Sequence, residues 1–273
     1  MSAKVAVAMS VYKSDSQEFL TMSLESILTQ NYENIDIYIE VDGPVSTELS
    51  KTILKYSDNQ KVYIEFHDEN RGLATRLNNI IEKCLSKGDY TYLARMDADD
   101  ISLPHRIQTQ VDFLNHNEKV AVVGSDIIEV DSKGNDLFYK KMLTSHNDIK
   151  NMVIKKCPFN HPTVMFRMNI FNDKKIRYKE RLKNTQDYYL WIDLLYYGFI
   201  FANINQPLLK FRVDENFHSR RGVDKAINDL KSRIYAFKML DVNNTSNFIH
   251  TLALFFLRLS PSFIKKFAYN FLR

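Results

Sequence analysis

The chain has 273 residues, of which 45% are hydrophobic and only 7 are Gly and 6 Pro, so its composition excludes disordered and collagen-like proteins. Its net charge is +4, but residues 216–273 carry 10 basic and 3 acidic side chains, whereas the preceding residues carry 27 basic and 30 acidic ones. The positive charge is therefore concentrated at the C-terminus. We predict a main domain over residues 1–215 and a basic, amphipathic helical tail over residues 216–273.

Cysteine content and the longest apolar run bear on where the protein works. Cys84 and Cys157 have no metal-ligand spacing around them and cannot form a disulfide framework, so we expect two reduced, buried thiols and a cytoplasmic protein. The longest uninterrupted apolar run, Leu252–Leu257, is far shorter than the roughly 20 residues of a spanning helix. We therefore expect a protein that is soluble or bound to a membrane surface.

The first hundred residues alternate between strand and helix patterns. β-Branched and alternating apolar residues predict four strands, over Lys4–Val11, Ile35–Val41, Val62–Phe66 and Tyr90–Met96. Apolar residues at helical spacing predict a helix between each pair of successive strands. Because parallel strands need crossover connections, this alternation predicts a parallel sheet covered by helices, with ligands beyond the C-terminal strand ends.

After residue 100 the pattern becomes mixed. It predicts one helix around Ile107–Leu114 and another over Asp187–Tyr197. Shorter strands are predicted over Val120–Val123, Ile127–Val130, Leu137–Tyr139, Thr163–Phe166, Phe199–Ile204 and Leu208–Val213. Beyond the candidate boundary at residues 216–222 the chain is predicted to be helical and basic.

Three carboxylates follow the fourth predicted strand, at Asp97, Asp99 and Asp100. Acidic side chains that crowd at a strand end repel one another unless a cation lies between them. A hard divalent cation such as Mn²⁺ or Mg²⁺ takes oxygen ligands and commonly bridges to substrate phosphates. The spacing therefore favours a metal site, and a solvated, Asp-rich turn is the alternative.

The ends of the first and second predicted strands carry Ser10, Tyr12 and Asp42. An aromatic ring and a carboxylate on adjacent strand ends suit a nucleobase, although for Tyr12 alone a half-buried packing role is the favoured interpretation. Arg71 and Arg76 flank the start of the third helix, where backbone N–H groups already favour anions, although ordinary surface charge explains them equally.

Asp187 opens the last helix of the predicted main domain, where an acid is either a helix cap or a general base. Two histidines, His161 and His218, lie in turn-like sequence. A hydrogen-bonded structural role is the favoured interpretation of each histidine.

Taken in order, these motifs resemble family 2 glycosyltransferases of the GT-A fold, particularly bacterial enzymes that build O-antigen, capsule or exopolysaccharide. The resemblance extends over about the first 215 residues. The segments that carry it are Met9–Tyr12, Ser26–Gln30, Val41–Pro44, Asn70–Ala74, Leu77–Asn78, Arg95–Ser102, Val123–Ser125, Pro158–Met165, Gln186–Tyr188, Leu190–Trp191 and Phe211–Val213. Each segment alone is a weak signal, and their common order makes the resemblance specific.

The resemblance implies an α/β GT-A fold, with a mixed, mostly parallel central sheet flanked by helices and a helical C-terminal extension. The resemblance assigns residues 1–215 to the catalytic domain. Asp97-Ala98-Asp99 looks like the DxD motif of the family, with Asp99 as a direct ligand of Mn²⁺ or Mg²⁺ and Asp97 reaching the ribose or the metal. Asp187 aligns with the general base of inverting members.

The resemblance also assigns the strand ends to the nucleotide. Ser10, Tyr12 and Asp42 look like the uracil and ribose site, which Arg71 or Arg76 completes. The sequence departs from the family where Val41 stands in place of an acid, which leaves open whether Asp42 or no carboxylate contacts the base. Gln186 replaces an acid that often precedes the base and leaves Asp187 able to act.

The implied activity is inverting transfer of a sugar from a UDP-sugar to a glycan hydroxyl. The implied acceptor is an oligosaccharide on a polyprenyl diphosphate, in bacterial surface polysaccharide synthesis. The alternatives are a catalytically inactive nucleotide-sugar binding protein and a sugar nucleotidyltransferase, whereas nucleic-acid binding is disfavoured because the basic excess lies in an apolar tail. That tail fits either the cytoplasmic face of the inner membrane or a helical hairpin packed on the domain or on a second subunit.

Overall fold

The computed structural model describes residues 2–182, 184–213 and 223–260. The strands are β1 (Val5–Val11), β2 (Ile35–Val41), β3 (Val62–Phe66), β4 (Tyr92–Arg95), β5 (Ile101–Ser102), β6 (Val120–Val130), β7 (Asp136–Lys140), β8 (Met165–Arg167) and β9 (Ile200–Arg212). The helices are α1 (Gln17–Leu28), α2 (Thr47–Leu54), α3 (Leu73–Lys87), α4 (Arg106–His116), α5 (His146–Met152), α6 (Gln186–Tyr196), α7 (Val223–Leu240) and α8 (Thr245–Leu259).

The strands form one mixed sheet in the order β3-β2-β1-β4-β8-β6-β9-β5, and β7 pairs with the outer part of β6. Strands β1 to β4 run parallel, as the alternation of strands and helices predicts. β8 then runs antiparallel to both β4 and β6, whereas β6 and β9 are parallel. The predicted mixed α/β sheet is therefore confirmed, with its parallel part in the first hundred residues.

Both faces of the sheet are buried, and β1 carries apolar side chains on each of them. Val5, Val7 and Met9 face a core that α1 closes, and Ala6 and Ala8 face the core beneath α3 and α6. The helix α3 packs over β1 on this second face. A central parallel strand that is apolar on both faces is typical of such layered folds.

Three predicted strand boundaries are wrong. β6 is one continuous strand of residues 120–130, and β9 continues through Pro207 to Arg212. The pairing of β6 with β9 shifts register on either side of Asp126, so a bulge absorbs the proline, which has no N–H for the ladder. The predicted strand 163–166 begins only at Met165, because His161–Thr163 forms a short 3-10 turn.

The C-terminal helices are continuous with the main core. α7 packs against α6, where the Tyr189 and Tyr235 rings stack with centroids 4.6 Å apart and Ala236 joins the core. The predicted boundary, like His218, lies outside the described residues, so the division at residue 215 stays a prediction. No described helix is long and apolar enough to cross a membrane.

One predicted burial is wrong. Cys84 is buried on the inner face of α3, as expected, but Cys157 is exposed. Cys157 lies in the segment between α5 and the 3-10 turn, outside any strand or helix.

Candidate active site

The three predicted carboxylates lie together in the loop between β4 and β5. Asp97, Asp99 and Asp100 each place an oxygen within 4.8 Å of the others. Asp99 is exposed, Asp97 is half-buried and Asp100 is buried. One oxygen of Asp100 accepts the backbone N–H of Arg212 at 2.9 Å, and the other is buried with no hydrogen-bond partner among the described residues.

Three arginines surround this acidic loop. Arg95 lies next to the loop on β4 and forms an ion pair with Asp97. Arg106 is completely buried at the start of α4, where it donates to the carbonyl of Arg95 at 2.7 Å and to Gln110 at 3.1 Å. Arg212, near the end of β9, donates its Nε–H to the carbonyl of Asp99 at 3.0 Å. The loop is therefore held by cations from three elements.

The acidic loop has the donor set of a divalent metal site. Desolvation by the surrounding protein and repulsion from Asp97 raise the pKa of the Asp99 carboxyl to about 6. Burial and repulsion from Asp97 and Asp99 raise the pKa of Asp100 as well. Three crowded carboxylates, one with an unpartnered oxygen, fit a hard cation with oxygen ligands such as Mn²⁺ or Mg²⁺.

Asp42 is buried at the end of β2 and holds the start of α3. One oxygen accepts the backbone N–H of Arg71 at 2.8 Å and the Nε–H of Arg76 at 2.7 Å, and the other accepts the N–H of Gly72 at 2.8 Å. No side chain of α3 caps this helix, so the carboxylate from β2 satisfies N–H groups that the helix leaves open. Both oxygens of Asp42 are thus engaged by protein donors.

The loop after β2 can approach the loop before α3 only because it contains a glycine. Gly43 has a positive φ of 83°, and a Cβ at this position would lie 2.7 Å from the backbone nitrogen of Asn70. Asn70 in turn donates its side-chain amide to the carbonyl of Asp42 at 3.2 Å. Arg71 itself points outward and pairs with Glu69 at 3.0 Å, so its guanidinium is accessible to a ligand.

The end of β1 places two predicted residues beside Asp42. Ser10 is half-buried, and the side chain of Tyr12 is 39% exposed. Between them, the carbonyl of Val11 accepts the backbone N–H of Asp42 at 2.7 Å. Asp15 accepts the backbone N–H of Tyr12 at 2.9 Å. Desolvation, together with repulsion from Asp99 and Asp97, raises the pKa of Asp15 to about 7, so the Tyr12 loop lies close to the acidic loop.

Asp187 is half-buried in the first turn of α6. Burial raises the pKa of its carboxyl, whereas the backbone N–H groups of Tyr188 and Asp187 and the charges of Arg95 and Arg233 oppose that rise. The neighbouring Gln186 is buried, and its Oε1 has no hydrogen-bond partner among the described residues. Asp187 is therefore an acid held at a helix N-terminus, within reach of the charge of Arg95.

His161 has the structural partners that its sequence context predicts. Its Nε2 lies 2.9 Å from the hydroxyl of Tyr178, and its ring packs against Trp191 with centroids 5.9 Å apart. Asn78 on α3 fixes Tyr178 by hydrogen bonds to both its backbone N–H and its carbonyl. Burial and the nearby Arg95 lower the pKa of His161 well below its usual value, so the ring is neutral at pH 7.

The structure thus forms two groups from the predicted site residues. Ser10, Tyr12, Asp42, Arg71 and Arg76 lie at the ends of β1 and β2 and the start of α3, and Asp97 and Asp99 follow β4 next to them. Asp187 lies at the start of α6, where the charge of Arg95, the ion-pair partner of Asp97, acts on its carboxyl.

Sequence reasoning gave no role to three further side chains of the site. They are Asp15, Arg95 and Arg212. The only sign of a role for them in the sequence is that they are charged and lie next to the recognised motifs. The partner of each one depends on strand register, which a motif does not specify.

Comparison with known proteins assigns a family to these features. The family described as Glycosyl transferase family 2 matches residues 6–177. An uncharacterized glycosyltransferase of Haemophilus influenzae is 32% identical, and the alignment covers 99% of each of the two chains. The amylovoran biosynthesis glycosyltransferase AmsE of Erwinia amylovora is 30% identical over 97% of both chains. A UDP-Gal:alpha-D-GlcNAc-diphosphoundecaprenol beta-1,3-galactosyltransferase of Escherichia coli is 28% identical, covering 98% of this chain and 95% of its own.

Solved structures give the same fold at low sequence identity. TarS of S. aureus, residues 1–349 in complex with UDP, has a TM-score of 0.64 at 12% identity, over 92% of this chain and 70% of TarS. The mannosyltransferase PcManGT of Pyrobaculum calidifontis, in complex with GDP-Man and Mn²⁺, has a TM-score of 0.62 at 13% identity, over 94% of this chain and 70% of its own. The predicted GT-A fold is confirmed.

The position of Arg212 leads to a prediction about the acidic loop. Arg212→Met removes the donor to the Asp99 carbonyl and the donors to the carbonyls of Asp131 and Ser132. We expect Mn²⁺ affinity, measured by calorimetry with UDP present, to fall at least about tenfold, and urea unfolding to show a loss of about 2 kcal/mol. The control is Lys210→Met on the same strand, which removes only a pair with exposed Asp136. Equal Mn²⁺ affinity in the two variants would refute this role of Arg212.

Proposed function

Because the chain belongs to glycosyl transferase family 2, we propose that it moves a sugar from a UDP-sugar to a glycan hydroxyl with inversion at the anomeric carbon. The observation that carries this proposal is that Arg95, the ion-pair partner of Asp97 in the carboxylate cluster after β4, also acts on the carboxyl of Asp187 at the start of α6. The carboxylates after β4 suit a metal ion with a diphosphate, and Asp187 suits removal of a proton from the acceptor hydroxyl. Membership of the family decides against the nucleotidyltransferase alternative.

On the donor side, the nucleotide lies across the ends of β1 and β2. Tyr12 offers an exposed ring for stacking on the base, and Ser10 lies just before it. Arg71 is exposed at the start of α3, where a phosphate or ribose oxygen would find a cation. Arg76 and Asp42 form a buried ion pair that fixes the loop before α3. Because both oxygens of Asp42 accept hydrogen bonds from the protein, we do not assign Asp42 to the base.

The acidic loop would hold Mn²⁺ or Mg²⁺ through Asp99 and Asp97, and Asp100 lies within the same cluster. The bound ion would neutralise charge on the donor diphosphate and on the departing UDP. The complex of PcManGT with GDP-Man and Mn²⁺ supports this assignment. The TarS complex with UDP supports a uridine nucleotide in the donor site.

Asp187 acts as the general base on the acceptor side. The acceptor oxygen bonds to the anomeric carbon while the bond from that carbon to the UDP oxygen breaks, and the hydroxyl proton passes to Asp187. Attack opposite to the leaving group inverts the configuration. Burial raises the pKa of Asp187, which brings a carboxylate closer to the basicity that favours proton transfer near neutral pH.

The acceptor is a glycan on a polyprenyl diphosphate, and the product is part of a bacterial surface polysaccharide. Two relatives support this choice. One acts on an alpha-D-GlcNAc-diphosphoundecaprenol acceptor according to its name, and the other belongs to amylovoran biosynthesis. An acceptor with a lipid tail requires the protein to work at the surface of a membrane.

The helix α8 offers a surface for that contact. Its apolar side chains Phe248, Ile249, Leu252, Phe256 and Leu259 are all 40% or more exposed and follow helical spacing along one face. The helix α8 packs on α7 by its opposite face. There Asn247 and Thr251 are buried, and Arg258 lies 3.0 Å from Asp229.

This arrangement reverses the usual pattern of a surface helix, in which the apolar face points inward. A contiguous exposed apolar face marks an interaction site. Residues 216–273 carry a net charge of +7, which suits an anionic membrane, at about 1 kcal/mol for each basic residue near the surface. Residues 261–273, which complete this basic tail, lie outside the described residues. We therefore place the cytoplasmic face of the inner membrane against α8.

Replacement of the proposed base tests the mechanism. Asp187→Asn should lower kcat by about 10² to 10⁴, because an amide cannot accept the proton, while UDP affinity stays within about threefold. Release of UDP and calorimetric binding measure the two quantities. Asp193→Asn is the matched control on the same helix, since Asp193 pairs with Lys179 and Tyr235 instead. Near-normal turnover of Asp187→Asn would remove Asp187 from this role, and a wild type that binds UDP-sugar without turnover would support the binding-protein alternative.

Charged substitutions on α8 test the membrane contact. The full-length variant Phe248→Glu/Phe256→Glu should bind anionic liposomes at least about tenfold more weakly in flotation, because both side chains are lost from the apolar face. Leu54→Glu is the control, since Leu54 is 49% exposed at the end of α2. Equal flotation of all proteins would overturn the contact. A wild-type dimer that ignores lipid and dissociates in the α8 variant would assign this face to a second copy.

A further inference from the structure

Arg95 occupies a position that the proposed mechanism does not yet use. It is the last residue of β4, with Ala8 of β1 as its neighbour in the sheet. Side chains alternate along a strand, so Arg95 lies on the same face as Leu93. That face carries the core beneath α3 and α6, where Leu93 is a member. The guanidinium is therefore buried at the edge of the core where α6 begins.

The start of α6 converges on the same place. Trp191 stacks on Phe166 with centroids 5.7 Å apart, and Phe166 is paired with Leu93 across β8 and β4. Asp187 precedes Trp191 by four residues and so lies one turn away on the same face of α6. The charge of Arg95 acts on the carboxyl of Asp187, so the two groups lie near each other.

Arg95 has a hydrogen-bonding capacity that the protein does not use up. The side chain is 3% exposed, and one terminal nitrogen pairs with Asp97. Its Nε and its other terminal nitrogen have no hydrogen-bond partner among the described residues. A buried charged donor without a partner is costly, and such groups are rare without a functional reason. Arg106, by contrast, has acceptors at all three nitrogens and is fully committed to structure.

We propose that Arg95, buried with two unpartnered nitrogens, is a positioning residue that connects the two halves of the site, holding Asp97 on the metal side and acting through its charge on Asp187 on the acceptor side. This inference rests on the proposed function, in which Asp187 is the base. A base that must accept a proton has to be deprotonated before the acceptor arrives. Burial alone works against that state, and a buried cation nearby favours it.

Several other groups act on Asp187 and define what removal of Arg95 leaves behind. Arg233 on α7 and the backbone N–H groups of Tyr188 and Asp187 also favour the carboxylate. Tyr178 and the exposed Cys157 also lie near it, and burial keeps the Tyr178 hydroxyl neutral by raising its pKa. Arg233 is already held by Asp229 at 2.9 Å. Without Arg95, burial of Asp187 is opposed only by Arg233 and the helix N-terminus, so its pKa rises.

The test measures the ionisation of Asp187 directly. Carboxyl ¹³C NMR of the full-length protein, with the resonance assigned by its loss in Asp187→Asn, should show the pKa at least about one unit higher in Arg95→Met than in wild type. Arg95→Lys keeps the charge and should stay within about half a unit of wild type. Arg95→Gln repeats the loss of charge if the methionine variant does not fold.

The pH profile of kcat provides the second readout. The acidic limb should move to higher pH in Arg95→Met by the same shift, because the protonated base is inactive over a wider range. Arg167→Lys is the control for an arginine of structure alone, because Arg167 donates to the carbonyls of Val120 and Leu114, and the acidic limb of this variant should not move. An unchanged Asp187 pKa in Arg95→Met, or a loss of kcat by one factor at every pH, would overturn the inference. Because the NMR titration needs no turnover, it stands apart from a failure of the proposed activity.

Discussion

The structure depends on the repulsion among the three carboxylates that follow β4. Such a loop is stable only where positive charge lies close to it, and the fold supplies Arg95 from β4, Arg106 from α4 and the Arg212 backbone and side chain from β9. Burial lowers the pKa of the Arg106 guanidinium to about 9. The loop leaves Asp99 exposed and Asp97 half-buried, where a metal ion and a diphosphate are proposed to bind.

The rest of the site is arranged around that loop by packing. Trp191 of α6 packs on Phe166 of β8, which pairs with Leu93 of β4, and all three belong to one core. Asp187 lies in the first turn of the same helix. On the other side, the buried pair of Asp42 and Arg76 fixes the start of α3 and the loop beside Tyr12. Each half of the site is held by groups that do not themselves touch a substrate.

The sequence predicted the parallel half of the sheet and the position of the acidic loop, because both depend on local alternation and on strand order. It did not predict that β9 continues through Pro207, since the bulge opposite Asp126 is a property of the pairing with β6. The contact of Arg212 with the acidic loop depends on that continuity. The double engagement of Asp42 was equally hidden, because it requires the distant start of α3 to reach the end of β2.

The central claim is that the carboxylates after β4 bind a nucleotide-sugar through a divalent cation. Calorimetric titration of UDP into wild type and Asp99→Asn, with and without Mn²⁺, tests it most directly. The account predicts that UDP affinity in wild type rises at least about tenfold with Mn²⁺ and that Asp99→Asn loses this gain. Equal UDP affinity with and without Mn²⁺, or an undiminished gain in Asp99→Asn, would contradict it.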